Sequence, residues 1–195
     1  MTDTSLSYIF IDSLLVNNIV LSIFLGVCPF IGVSGKIDTA WRMGVAVIFT
    51  MLVSSALAFG ANAALVATHT EYLRIIAFVA IIASTVQIVE LFIKKTSPIL
   101  FRSLGIYLPL ISANCAILGV ALFQTARGYS FPQSIVFALG SGLGFALALI
   151  LMAFIRERLD FYDLPKSARG TALVLMIAGI LSMAFMGFAG FGTGL

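Results

Sequence analysis

Ser13-Leu14-Leu15-Val16-Asn17-Asn18-Ile19-Val20-Leu21-Ser22-Ile23-Phe24-Leu25-Gly26-Val27-Cys28-Pro29-Phe30-Ile31-Gly32-Val33-Ser34-Gly35 is a charge-free run that carries helix-interrupting residues in its middle. A helix that crosses a bilayer needs about 20 mostly apolar residues, and this run supplies them. Pro29 lacks a backbone donor and crowds the preceding turn. Gly26 and the Asn17-Asn18 pair tolerate the backbone conformations that follow a break. Taken alone, the segment reads as a proline kink.

A second segment changes that reading. Gly105-Ile106-Tyr107-Leu108-Pro109-Leu110-Ile111-Ser112-Ala113-Asn114-Cys115 carries the same mixture of Gly, Pro, Asn and Cys. Interrupted helices in corresponding places of two halves mark a functional centre near the bilayer midplane. Unsatisfied backbone survives there only where protein or a cavity covers it. The pair is therefore expected to be two broken helices.

Outward from these segments the chain stays apolar. Of its 195 residues, 61% are hydrophobic and 10% charged, against roughly 25% charged in soluble domains. That excludes a soluble fold, because a core of this size could not hide so much apolar surface. The net charge of +3 is too small to point to nucleic acid. Stretches 43–70, 103–126, 128–155 and 170–195 are also charge-free, and 75–89 reaches spanning length if its helix runs on past Glu90. The expectation is an all-α integral membrane protein of six spans, at 8–32, 41–66, 72–94, 99–123, 131–155 and 170–191. Asp3, in place of a basic cluster, argues against a cleaved signal peptide and for a permanent first helix.

Basic residues set the orientation. Lys36 and Arg42, then Lys94, Lys95 and Arg102, then Arg156, Arg158, Lys166 and Arg169 fill alternate connections and make up nine of the eleven. Lys and Arg stay cytoplasmic. Both termini are then expected on the outer, periplasmic side of a bacterial inner membrane. Asn17–Ser22 matches Asn114–Gly119 at an offset of 97, and Arg74–Val79 matches Arg169–Val174 at 95. A common offset near half the chain indicates duplication, with repeats at 1–97 and 98–195. Three helices per half force the second half to cross in the opposite sense, so the repeat is inverted.

Cys28 and Cys115 are the only cysteines, one in each interrupted segment. As isolated residues they are small buried hydrophobes. As a pair at the centre of an inverted repeat they are candidate metal ligands. An iron–sulfur cluster normally takes four thiolates. The chain has two, and its lone His69 lies in a loop. A complete cluster therefore requires two ligands from a partner.

At these residues the sequence resembles a known family. Val16-Asn17-Asn18, Phe24–Phe30, Leu104-Gly105-Ile106, Leu108–Ile111, Asn114-Cys115-Ala116, Ile155–Arg158 and Ala184–Phe188 resemble the A-subunit family of the Rnf electron-transport complex, in the same order and over nearly the whole chain. The Asn17-Asn18 pair and Cys28-Pro29 look more like that family than its sister, the E subunit of the sodium-translocating NADH:quinone reductase. The sister is expected to have an acidic residue near Asn17 and no proline after the cysteine. The resemblance implies a homologous six-helix partner of E-subunit type and opposite topology. Cys28, Cys115 and two partner cysteines would share a [2Fe-2S] cluster within the bilayer. It implies further flavin and iron–sulfur subunits, and a complex that passes electrons between ferredoxin and NAD while moving Na⁺ or H⁺. Such a chain has no independent catalytic site. Gly26, Pro29 and Pro109 shape the breaks that carry the thiols, and Asn17, Asn18 and Asn114 are expected to cap or bridge the half-helices around the cluster.

Other polar residues have plainer readings. Glu90 and Lys94 are spaced for an interfacial ion pair on one helix face. Asp12 reads as an outer-interface residue. Gly140-Ser141-Gly142-Leu143-Gly144 contains GxxxG spacing, a close-packing signal. Arg156-Glu157-Arg158, with Asp160 and Asp163, reads as a solvated loop that anchors the chain or docks soluble redox subunits. A non-redox secondary transporter is the rival function, since inverted repeats and broken helices serve transporters too. A purely structural subunit is a third possibility.

Overall fold

The computed structural model describes residues 5–67, 69, 71–96, 114–159, 162 and 170–188. Helix α1 (Leu6–Ile11) runs into a π-helical turn at Asp12–Val16. An irregular segment leads to α2 (Val27–Val33). Then come α3 (Ile37–Ala67), a 3₁₀ turn at Glu71–Leu73, and α4 (Arg74–Thr96). Past the stretch that is not described, α5 (Cys115–Ala126), α6 (Phe131–Leu159) and α7 (Thr171–Met186) follow. No strand occurs among the described residues. Pro109 and most of the second interrupted segment lie outside them, as do Arg102, Lys166 and Arg169.

Three helices, Ile37–Ala67, Arg74–Phe92 and Phe131–Leu159, are long and apolar enough to cross a membrane. Leu6–Val16, Cys115–Ala126 and Thr171–Met186 are shorter apolar helices. Local chemistry sets the helix ends. The Ser5 hydroxyl accepts the Tyr8 N–H at 3.3 Å and starts α1. The Gln133 side chain accepts the Ser130 N–H at 3.0 Å ahead of α6, one arm of a capping box. Arg156 and Arg158 occupy the last turn of α6, where cations favour the negative helix end.

Helices α3 and α6 run antiparallel as the central pair. A Cβ on Gly44 would meet Ala146 Cβ at 2.9 Å, and one on Gly142 would meet the Ile48 backbone at 3.2 Å. Met43, Val47, Met51, Phe145, Leu149 and Met152 fill the contact and are fully buried. The first helix lies across α6 at the GxxxG residues. A Cβ on Gly140 would collide with Ser13 Oγ, and one on Gly144 would sit 2.9 Å from both Asn18 Nδ2 and the Leu14 carbonyl. The GxxxG spacing is a close-packing device, as expected.

Helices α4 and α7 present apolar side chains outward. Ile76 is 68% exposed and Met183 69%, with Ile88, Leu91, Met176, Ile180 and Met186 similarly bare. Soluble monomers rarely expose contiguous patches of this kind, whereas lipid or a membrane partner covers them without cost. Inside, the Ser55–Gln124 pair shows how polar groups are accommodated. Ser55 Oγ donates to Gln124 Oε1 at 2.5 Å, and Gln124 Nε2 returns a bond to the Ser55 carbonyl at 3.0 Å, tying α3 to α5.

Candidate metal centre

The first helix breaks earlier than its proline suggests. The Ser13 hydroxyl donates back to the Ile9 carbonyl at 2.8 Å and the Phe10 carbonyl at 3.1 Å. The chain widens into the π turn and leaves helical geometry at Asn17, with φ −104° and ψ 49°. The irregular stretch occupies 17–26, and Pro29 lies inside α2. The reason is positional. Pro29 is the third residue of α2, where its missing N–H would find no helical partner anyway.

Asn18 performs the break. Its Oδ1 accepts the N–H groups of Val20 at 3.0 Å and Leu21 at 3.4 Å. Its Nδ2 donates to the Leu14 carbonyl at 3.2 Å and the Gly144 carbonyl at 2.9 Å. One side chain thus replaces helical bonds on both sides of the interruption and ties it to α6. Phe24, with φ 56°, and Gly26, with φ 83°, then redirect the backbone into α2.

Two helix N-termini meet at Gly26. Gly26 caps α2, and its N–H donates to Cys115 Sγ at 2.9 Å. Cys115 is the first residue of α5, and Asn114 caps that helix by accepting the Ala116 N–H on Oδ1 at 3.0 Å. Packing is tight. A Cβ on Gly26 would lie 2.8 Å from Phe145 Cε2, 3.1 Å from Ala116 Cβ and 3.2 Å from Asn114 Oδ1. Cys28 is the second residue of α2. Both cysteines are exposed and free. Asn114 is only 4% exposed, yet its Nδ2 has no hydrogen-bond partner among the described residues.

This arrangement suits thiolate ligands. Helix N-termini carry partial positive charge, and a thiolate is the form that binds metal. Among the described residues no three His, Cys, Asp or Glu side chains gather in one place. Two exposed thiols at adjoining helix starts are two ligands, against the four thiolates that an iron–sulfur cluster normally takes.

The structure brings Gly26, Cys28, Pro29, Asn114 and Cys115 to the ends of α2 and α5, with Asn18 bracing the break. Asn17 lies elsewhere. Its Nδ2 donates to Asp12 Oδ1 at 2.8 Å, and Asp12 Oδ2 lies 3.5 Å from Arg127 Nη1. Arg127 also donates to the Tyr129 hydroxyl at 3.0 Å. Burial pulls the Arg127 guanidinium down, but Tyr129 and Asp12 outweigh it and hold the group above its ordinary value.

Two contributors make contacts that the sequence does not signal. Phe145 seals Gly26 from α6 and looks like any core aromatic. Arg156 corrects an expectation. It belongs to the last turn of α6, not to a solvated loop, and its Nη1 donates to the Ile31 carbonyl at 3.1 Å and Ser34 Oγ at 2.9 Å. It closes the C-terminal end of the half-helix that bears Cys28.

Helices without strands among the described residues, apolar faces turned outward and three helices long enough to cross a bilayer define a membrane protein. The family model described as "Rnf-Nqr subunit, membrane protein" matches residues 6–192, and the chain belongs to that family. The A subunit of the ion-translocating oxidoreductase complex of Syntrophotalea carbinolica is 51% identical over 187 residues, covering 95% of this chain and 97% of that protein. The A subunit of the Na(+)-translocating ferredoxin:NAD(+) oxidoreductase complex of Acetobacterium woodii is 48% identical over 191 residues, covering 97% of this chain and all of that one. The corresponding A subunit of the ion-translocating oxidoreductase complex of Escherichia coli K12 is 48% identical over 191 residues, covering 97% and 98%.

Proposed function

We propose that this chain is the A subunit of an ion-translocating ferredoxin:NAD⁺ oxidoreductase complex, and that Cys28 and Cys115 hold half of a [2Fe-2S] cluster whose other two thiolates come from a homologous E-type partner. The observation that carries this reading is the Gly26 N–H on Cys115 Sγ at 2.9 Å, which joins the two cysteine-bearing helix starts. When bound, the cluster supplies a one-electron carrier that divides a long crossing of the membrane into shorter hops.

The chain's own residues hold and tune that site. The first turns of α2 and α5 stabilise negative charge on the sulfurs. The Gly26 N–H bonds to sulfur directly, and such bonds are one determinant of cluster potential. Arg156 braces α2 at its C-terminal end, since seven residues are too few to hold a helix alone, and Asn18 ties the preceding break to α6. The exposure of both thiols leaves the cage open to a partner. The Asn114 Nδ2 is a spare donor beside Cys115.

The three long helices, together with the three shorter apolar ones, support a six-crossing chain in which α1 and α2 share the first crossing. The reading keeps inverted halves at 1–97 and 98–195, outer termini and cytoplasmic basic connections in a bacterial inner membrane. Flavin and iron–sulfur subunits complete the complex, which moves Na⁺ or H⁺. The relatives' names, each an A subunit of such a complex, favour this assignment over the reductase E subunit or a transporter. Low-temperature EPR of the purified complex tests it. Cys28→Ala and Cys115→Ala should each abolish one [2Fe-2S] signal while the other subunits stay bound. Retention of every cluster signal in both variants overturns the proposal.

A further inference from the structure

A cavity of about 140 Å³ lies against the break in the first helix, lined by Leu15, Val16, Asn17, Ser22, Ser182 and Phe185 among others. The helix Leu6–Val16 ends there, so its last carbonyls face the end of the intrahelical ladder. Some carbonyls around the break are taken. The Asn17 N–H bonds to that of Asp12, Asn18 Nδ2 to that of Leu14, and Ser182 Oγ to that of Leu21 at 2.6 Å. The carbonyls of Leu15 and Val16 accept no hydrogen bond among the described residues. Asn17 spends its amide on Asp12, which leaves its Oδ1 without a donor among them.

The Leu15 and Val16 carbonyls and Asn17 Oδ1 are therefore left as acceptors at this cavity among the described residues. A helix C-terminus carries about half a negative charge, which repels an anion and attracts a cation. Among the described residues no carboxylate lines the cavity. Asp12, one turn before it, is held by Asn17 and Arg127. Neutral carbonyl, amide and hydroxyl oxygens suit a singly charged hard ion, whereas divalent cations draw carboxylates into their shells. The volume exceeds the roughly 10–15 Å³ that one water occupies on this measure, so an ion with residual water fits.

We propose that this cavity is a monovalent-cation site at the end of the first half-helix. It deepens the ion-translocating part of the reading above and uses none of the cluster's ligands. The test uses the whole solubilised complex with Ser22→Cys, labelled by a maleimide in Na⁺ or in choline at equal ionic strength, with wild-type labelling subtracted. Na⁺ should slow labelling about tenfold, the change expected if an ion about 1.4 kcal/mol more stable than the empty state occupies the site. Adding Asn17→Leu should remove that protection. Cluster EPR on the same samples separates the two readings: lost cluster signal with intact Na⁺ protection sinks only the cluster. Equal labelling in Na⁺ and choline, or protection that survives Asn17→Leu, overturns the site.

Discussion

Gly26 and Cys115, 89 residues apart in sequence, are joined by a hydrogen bond from the Gly26 N–H to the cysteine sulfur at 2.9 Å. The bond exists because Gly26 adopts φ 83° and has no Cβ to strike Phe145. Conformation and clearance therefore demand glycine at the same position. Gly26→Ala should destabilise the complex by about 1–3 kcal/mol through strain and overpacking. It should also shift the midpoint potential of the bound cluster. Thermal unfolding monitored by fluorescence, with a redox titration followed by EPR, reads both effects.

The GxxxG contact separates packing glycines from idle ones. Gly144→Val places a branched side chain where Asn18 Nδ2 and the Leu14 carbonyl now stand 2.9 Å from the Cβ position. The break then loses its anchor on α6, and the amount of intact complex recovered from membranes should fall several-fold. Gly60 has nothing within 4 Å of its Cβ position. Gly60→Ala should match or exceed wild-type recovery, because Ala favours helix over Gly by about 1 kcal/mol. Equal losses in both variants would contradict the packing account.

Arg156 is expected to act on α2 from the far end. Arg156→Gln removes the cation that serves the Ile31 carbonyl and Ser34 Oγ. The group is half-buried, so the cost should sit near the low end of the range of about 1.5–3 kcal/mol for charged hydrogen bonds. A lowered unfolding temperature with a broadened cluster EPR line is the expected result. Arg158→Gln, in the same last turn but without a described bond to α2, serves as the comparison.

The Asp12–Arg127 pair should prove weak on its own. Its atoms stand 3.5 Å apart and the Arg127 side chain is 38% exposed. A double-mutant cycle with Asp12→Asn and Arg127→Gln should give a coupling below about 1 kcal/mol, and less at high salt. Asp12→Asn alone should cost more than the coupling energy, because Asp12 also holds Asn17 at the mouth of the cavity.

Much of this is legible in the residues. Charge-free length marks the long helices α3 and α6, and the Gly-Pro-Asn-Cys mixture locates the interruption to within one helix turn or two. Asn18 is readable as a polar group that has to find partners at depth. The place of the break is not, because proline is conspicuous yet harmless in a first turn, and Pro29 falls there. Arg156 misleads because positive residues near a span end usually do nothing but meet water and headgroups. Its partner Ile31 lies 125 residues away, and no local pattern encodes that bond. Phe145 and the Ser55–Gln124 pair are hidden for the same reason, since only the antiparallel register of α3 and α6 and the docking of α5 bring them to their partners.

Iron stoichiometry puts the two-thiol cage to its plainest trial. Iron is counted per complex in wild type and in the Cys28→Ala/Cys115→Ala double variant, both purified with every other chain present. The account predicts a deficit of two irons in the variant, the content of one [2Fe-2S] cluster. Equal iron in the two preparations would contradict it.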